Sequence, residues 1–153
     1  MSIVDIAKAS ASKWTPAAPA SEGGITNLGT WIGFELPSDY LDFLRFSNGG
    51  CGDIPVQPWC FDSLWSAEEL ADCNRDYEVA NYCPGFFGIG SSGGGEMFAF
   101  DMRSSEPWPV VVLPFIGMEA KAALAVAPDF RSFVAIFGQT ADGPQEFLKS
   151  QNA

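Results

Sequence analysis

Glu68, Asp72 and Asp76 stand four residues apart, so on a helix they share one face. The chemistry such a stripe offers is attraction of a cationic protein. Like charges at that spacing cost roughly a few tenths of a kcal/mol per pair. The helix N-terminus offsets part of this for Glu68 and Asp72; Asp76 lies too far along, with only Arg75 beside it. A stripe that costs stability is explained by a basic partner, and equally by an ordinary solvated face. Glu68, Glu69, Asp72 and Asp76 are the first candidates for partner binding, with Asp39, Asp42 and then Asp53 next. A carboxylate pair could also hydrolyse a glycosidic bond, but no spacing in the chain nominates a pair.

The chain contains no histidine. That removes Ser-His and Cys-His nucleophiles, a His general base and the common His metal ligands. Cys51, Cys60, Cys73 and Cys83 form no C-x-x-C pair, so zinc is not expected and reduced, mostly buried thiols are. No catalytic residue, metal ligand or cofactor is assigned. The 153 residues carry a formal net charge of -11. Glu35 to Glu106 holds thirteen Asp/Glu against three Lys/Arg, a local charge of -10. This field repels nucleic acid and anionic membranes and attracts basic proteins. No apolar run reaches the roughly 18 residues of a membrane span, and the N-terminus lacks the apolar core of a signal peptide, so a cytoplasmic location is expected.

"FFGIGSSGGGEMFAFD", from Phe86 to Asp101, poses a separate question. Phosphate-cradling glycine loops open a helix, and the P-loop ends in Gly-Lys-Ser/Thr. Here Glu96 follows the last glycine, no Lys or Arg is near, and the next segment alternates like a strand. The stretch therefore reads as a β-hairpin whose glycines supply turn conformations.

The elements that would position these residues follow from periodicity. Ser2 to Trp14 is a first helix with Ile3, Ile6 and Ala7 on one side, and "TPAAPASEGG" is a linker. Pro37 makes Leu36 extended, and Ser38 or Asp39 supplies a cap for a helix whose stripe is Tyr40, Leu41, Phe43 and Leu44. Asn48-Gly49-Gly50 ends it. Strands are expected at Ile54–Val56 and Trp59–Phe61. Ser66 and Glu69 form a capping box for a helix to about Ala80, with Leu70, Cys73 and Tyr77 inward. Strands follow at Phe86–Ile89, Met97–Phe100 and Val110–Phe115, the last apolar on both faces. "MEAKAALAVA" fits helix, loop or strand. Pro128-Asp129 opens a last helix with Phe130, Phe133, Val134 and Phe137 on one face and Gly138 at its stop; the tail after it docks through Phe147 and Leu148. Asp101 caps a turn.

The order of these motifs resembles the SUKH superfamily, which includes fungal regulators of cell-wall synthesis of the Smi/Knr type and many bacterial proteins. "LPSDYLDFLRFSNGG" is similar to its Leu-Pro-x-Asp-Tyr…Phe-Leu…Asn-Gly-Gly signature; the glycine hairpin, "PVVVLP" and "VAPDFRSFVAIF" follow in the family's order. The resemblance implies one α+β domain over 1–153, with a core at about 33–137, and a mainly antiparallel sheet with helices packed on it. For bacterial members it implies immunity: binding and neutralising a toxin, often a nuclease or deaminase, with no catalytic residues. The partner expected on this reading is a basic toxin domain; the alternative is a regulator or scaffold that grips a peptide or protein in an apolar groove, with Trp59, Trp65 or Trp108 as anchors.

Overall fold

Phenylalanines and a tyrosine at helical spacing force two helices against the same strand. Tyr40 and Phe43 come from one, Phe130 and Phe133 from the other, and Phe98 and Phe100 from the strand between; all are buried. Tyr40 meets Phe100 at 5.2 Å and Phe130 at 4.9 Å between ring centroids, and Phe98 meets Phe133 at 5.4 Å. Tilted and edge-on pairs of this kind add to the area they bury.

The computed structural model describes residues 2–9, 14–52 and 63–137. In chain order the elements are α1 (Ile3–Ala9), β1 (Trp14–Pro16), α2 (Glu22–Ile32), α3 (Ser38–Phe46), β2 (Gly50–Gly52), β3 (Ser63–Leu64), α4 (Ala67–Asp76), α5 (Val79–Tyr82), β4 (Phe86–Ser91), β5 (Glu96–Asp101), β6 (Val110–Pro114), a 3₁₀ turn (Ala120–Ala122), β7 (Leu124–Ala127) and α6 (Phe130–Ala135). Among the described residues the strands form one seven-stranded sheet whose spatial order follows the chain order, every neighbouring pair antiparallel. With helices packed on it, this is the α+β arrangement expected. No described helix is long and apolar enough to cross a membrane.

The three central strands stand close to their expected limits because their residues are apolar on both faces; Met97 to Phe100 and Val110 to Leu113 are all buried. The glycine stretch is the turn between β4 and β5, in register Ser91 to Met97, and it opens no helix. The turn closes through the Ser92 N–H on the Glu96 carbonyl at 2.9 Å and the Ser92 hydroxyl on the Glu96 carboxylate at 3.0 Å. Gly93 and Gly95 take positive φ there; Gly94 does not. "MEAKAALAVA" resolves into the 3₁₀ turn and the edge strand β7. Asp101 caps its turn by accepting from the Arg103 N–H at 3.1 Å, and the Arg103 guanidinium beside it holds its carboxyl below the usual range.

Several expectations are corrected. The first helix stops at Ala9, and Trp14 opens β1 instead of closing a helix; its ring stacks on Phe43 at 5.7 Å. The linker ends early, because Ser21 caps α2 by accepting from the Gly24 N–H at 2.9 Å. Three glycines lower the helix propensity of this segment, but Ile25 and Leu28 bury one face. α3 is preceded by Pro37 with no side-chain cap, so neither Ser38 nor Asp39 caps it. The helix after Ser66 breaks at Glu78, whose φ of 55° lies in the left-handed region. Tyr77 is not inward: it is 45% exposed, laid over Trp65 and Phe115. The expected strands at Ile54–Val56 and Trp59–Phe61, along with Asp53, Cys60, Gly138, Phe147 and Leu148, lie outside the described residues.

Two side chains test this packing. The Tyr40 hydroxyl is buried with no hydrogen-bond partner among the described residues, and burial pushes its pKa far up. A buried hydroxyl left unpaired costs free energy, so Tyr40→Phe is expected to raise stability by about 1 kcal/mol in urea unfolding; a clear loss would reveal a hidden partner. Conversely, Asn74→Leu strips the Gly88 N–H and C=O of their partners and is expected to destabilise by about 2 kcal/mol.

Candidate functional site

Helix α4 carries four of the six candidate acids that lie among the described residues, and two carboxamides fix it in place. At its start, Asn48 accepts from the Ala67 N–H at 2.7 Å and donates to Glu68 Oε1 at 2.7 Å. The Ser66 N–H donates to Glu69 Oε1 at 3.0 Å, which is the glutamate half of the capping box. Further along, Asn74 spans to β4: its Oδ1 accepts from the Gly88 N–H at 2.7 Å and its Nδ2 donates to the Gly88 carbonyl at 2.9 Å. Strand β3 ends at Leu64, opposite Gly90, so Gly88 lies past its last paired residue. The Asn74 carboxamide takes the place of the missing peptide.

The Asn48-Gly49-Gly50 segment is therefore more than a helix stop. Gly49 has φ 93°, and a Cβ there would overlap the Leu64 carbonyl oxygen. At Gly50 a Cβ would lie 2.8 Å from the Trp14 ring. Only glycine lets the chain pass between β1 and the start of α4 while Asn48 reaches the helix end.

Helix α2 lies beside α4. Its last turn carries Trp31, 54% exposed, and Gly33 closes it in the left-handed conformation. Phe34 follows, half-exposed, edge-on to Phe87 at 5.4 Å. A cleft of about 480 Å³ between the helices is lined by Trp31, Glu68, Ala71, Asp72 and Arg75. An adjoining cleft of about 340 Å³ shares Trp31, Ala71 and Arg75 and adds apolar wall from Phe34, Phe86 and Phe87. A third, of about 540 Å³, lies under the end of α2 between Ile25, Leu28, Phe34, Leu36 and Leu41.

The candidate acids divide by position. Glu68 and Asp72 face the cleft with Trp31. Asp72 pairs with Arg75 at 2.7 Å, and Asp76 lies 3.7 Å from the same guanidinium. Glu69 is held at the helix cap. Asp42 pairs with Arg45, which also grips Glu22 of α2. Asp39 pairs with Arg131 of α6 at 3.4 Å and lines a separate cleft with Pro37 and Trp108. Sequence spacing thus brings the α4 acids together, and the fold leaves Asp39 in a different cleft. All four arginines are paired with carboxylates. Even so, Ala67 to Tyr82 exposes five carboxylates against one arginine, a net of -4. The field is felt inside the helix: the Cys73 thiol is pushed up by burial first, then by Glu69, Asp76 and Asp72.

Trp31 and Phe34 are the residues that sequence reasoning missed. Two large aromatics three apart, next to a helix-ending glycine, were the available signal, but without a recognised α2 nothing marked them as exposed. The anchors expected instead are corrected. Trp65 is buried in the core. Trp108 is half-buried over Phe100, with its N–H on the Ser104 carbonyl at 2.9 Å. Trp59 lies outside the described residues. What the α2–α4 face can do chemically is recognise a cation beside an aromatic and apolar wall.

The sequence model described as SMI1 / KNR4 family (SUKH-1) matches residues 19–136, a stretch that includes Trp31, Asn48, α4 and Asn74. No curated protein matches the chain.

The local field predicts thiol chemistry. Burial and neighbouring carboxylates both disfavour the thiolate, so Cys73 alkylation by iodoacetamide is expected to need a higher pH than that of an ordinary small-molecule thiol. Asp72→Asn with Asp76→Asn, or added salt, lowers that midpoint, read by peptide mass spectrometry. A Cys73 midpoint at or below an ordinary thiol would contradict the field.

Proposed function

The chain belongs to the SMI1 / KNR4 family (SUKH-1), and from that premise we propose that it is a non-enzymatic binding protein of the immunity type, acting in the cytoplasm on a basic toxin domain. The observation that carries this reading is the exposed face of α4 and α5, with a net charge of -4 beside the unburied Trp31. A toxin that works on nucleic acid must present cationic groups to phosphates, and carboxylates at Glu68, Asp72 and Asp76 would occupy those groups instead. Long-range attraction speeds encounter, and the aromatic wall supplies the desolvated contact that holds the complex. On this reading Glu69, Asp39 and Asp42 add to the field while serving the helix cap and the ion pairs described above.

A second reading has its own support in the apolar cleft of about 540 Å³ beneath α2. There the chain would act as a regulator gripping a peptide or protein, and the charge of α4 would be incidental.

Co-expression separates the two. A toxin domain encoded beside this chain is expected to be neutralised by the wild-type protein and to form a complex with it. Asp72→Lys with Asp76→Lys should abolish protection without lowering the melting temperature; an apolar-groove binder would keep its partner. The association rate is expected to fall about tenfold or more between roughly 0.05 and 0.5 M salt, with dissociation little changed. A salt-independent association rate, or no rescue by any neighbouring toxin domain, would overturn the immunity reading.

A further inference from the structure

We propose that the cleft between α2 and α4 is a docking slot for an arginine side chain of a protein partner, flanked in that partner by apolar residues. The proposal rests on the protein-binding reading above and names what this one site accepts. Its aromatic wall is Trp31, an indole with no ring neighbour and no hydrogen bond among the described residues. Trp14 and Trp65 are buried, and Trp108 is held over Phe100. A half-exposed tryptophan in the last turn of a helix has one open face to offer.

The opposite wall is anionic. Glu68 is tethered to Asn48 through Oε1 alone. Its Oε2 points at α2, 2.7 Å from where a Cβ on Gly24 would lie, so the absence of a side chain at Gly24 leaves room for it. Asp72 already holds one guanidinium, that of Arg75, at 2.7 Å. Both partners of that pair are largely exposed, with side-chain exposures of 71% and 62%, so the pair contributes little and exchanges readily. Arg75 lines the cleft without lying over the indole. It occupies the carboxylate and leaves the aromatic face free.

The charge complementarity selects the occupant. A carboxylate and an indole face together suit a planar, weakly hydrated cation that stacks and donates two parallel hydrogen bonds, which is arginine and not lysine. The incoming guanidinium would take Asp72 from Arg75 and stack on Trp31, with Glu68 adding its charge from the same cleft wall. The adjoining apolar cleft, continuous through Trp31, Ala71 and Arg75, has room for the side chains next to it.

The test uses the full chain and three peptides, acetyl-Ala-Leu-Xaa-Leu-Ala-amide with Xaa as arginine, lysine or citrulline. The readout is the indole ¹⁵N–¹H resonance of Trp31, assigned with Trp31→Phe. The arginine peptide should shift it saturably, the lysine peptide about fivefold or more weakly, and the neutral citrulline peptide not at all. Asp72→Asn should weaken the arginine peptide at least about fivefold. Arg75→Gln should strengthen it, because the internal competitor is gone. Equal shifts from arginine and lysine, or weaker binding in Arg75→Gln, would overturn the proposal. A toxin neutralised as well by Trp31→Ala as by wild type would sink the slot and leave the immunity reading standing. Saturable arginine binding by a chain that neutralises no toxin would do the reverse.

Discussion

Two carboxamides hold the face on which the proposed function rests. Asn48 ties the start of α4 to the end of α3, and Asn74 ties its later turns to β4. Each satisfies backbone groups at the edge of regular structure: the N–H of a helix end in one case, a strand position beyond the last residue of β3 in the other. An asparagine is a peptide group on a short stem, so it substitutes for backbone where backbone runs out. Without these anchors the charged helix would have only Leu70 and Ala67 buried beneath it.

Around the Asn48 anchor the chain is tightly constrained. Ser47 is fully buried and accepts from the Ala17 N–H while donating to the Gly49 carbonyl. Gly49 and Gly50 then pass where no side chain fits. The Leu-Pro…Asn-Gly-Gly signature is thus a mechanical joint. Its aromatic half, Tyr40 and Phe43, enters the core, and its polar half delivers α4 to the surface beside α2. A motif that looked like a helix and its stop also carries the geometry of a distant site.

The acidity of α4 serves the fold and, on the proposed reading, recognition as well. Glu69 completes a cap and Glu68 secures Asn48, so part of the charge is used by the fold. Asp72 and Asp76 share one arginine between them, which relieves repulsion and leaves the helix strongly negative. The Cys73 thiol, pushed up first by burial, is pushed further by Glu69, Asp76 and Asp72. Weak, exposed ion pairs suit a binding face, because a partner can exchange them at little cost.

The sequence by itself determined the α+β class, the central strands, the aromatic faces of α3 and α6 and the shared face of Glu68, Asp72 and Asp76. These follow from local periodicity and from capping residues, which act within a few positions of the chain. It could not show α2, because three glycines masked a helix that stands on its Ser21 cap and the burial of Ile25 and Leu28. For the same reason it could not separate the buried Trp65 from the exposed Trp31, or place Tyr77 outside. Exposure is a property of what packs on a side chain, and those neighbours come from far along the chain. Only the tertiary structure set Trp31 against Asp72, since forty residues and three intervening elements lie between them.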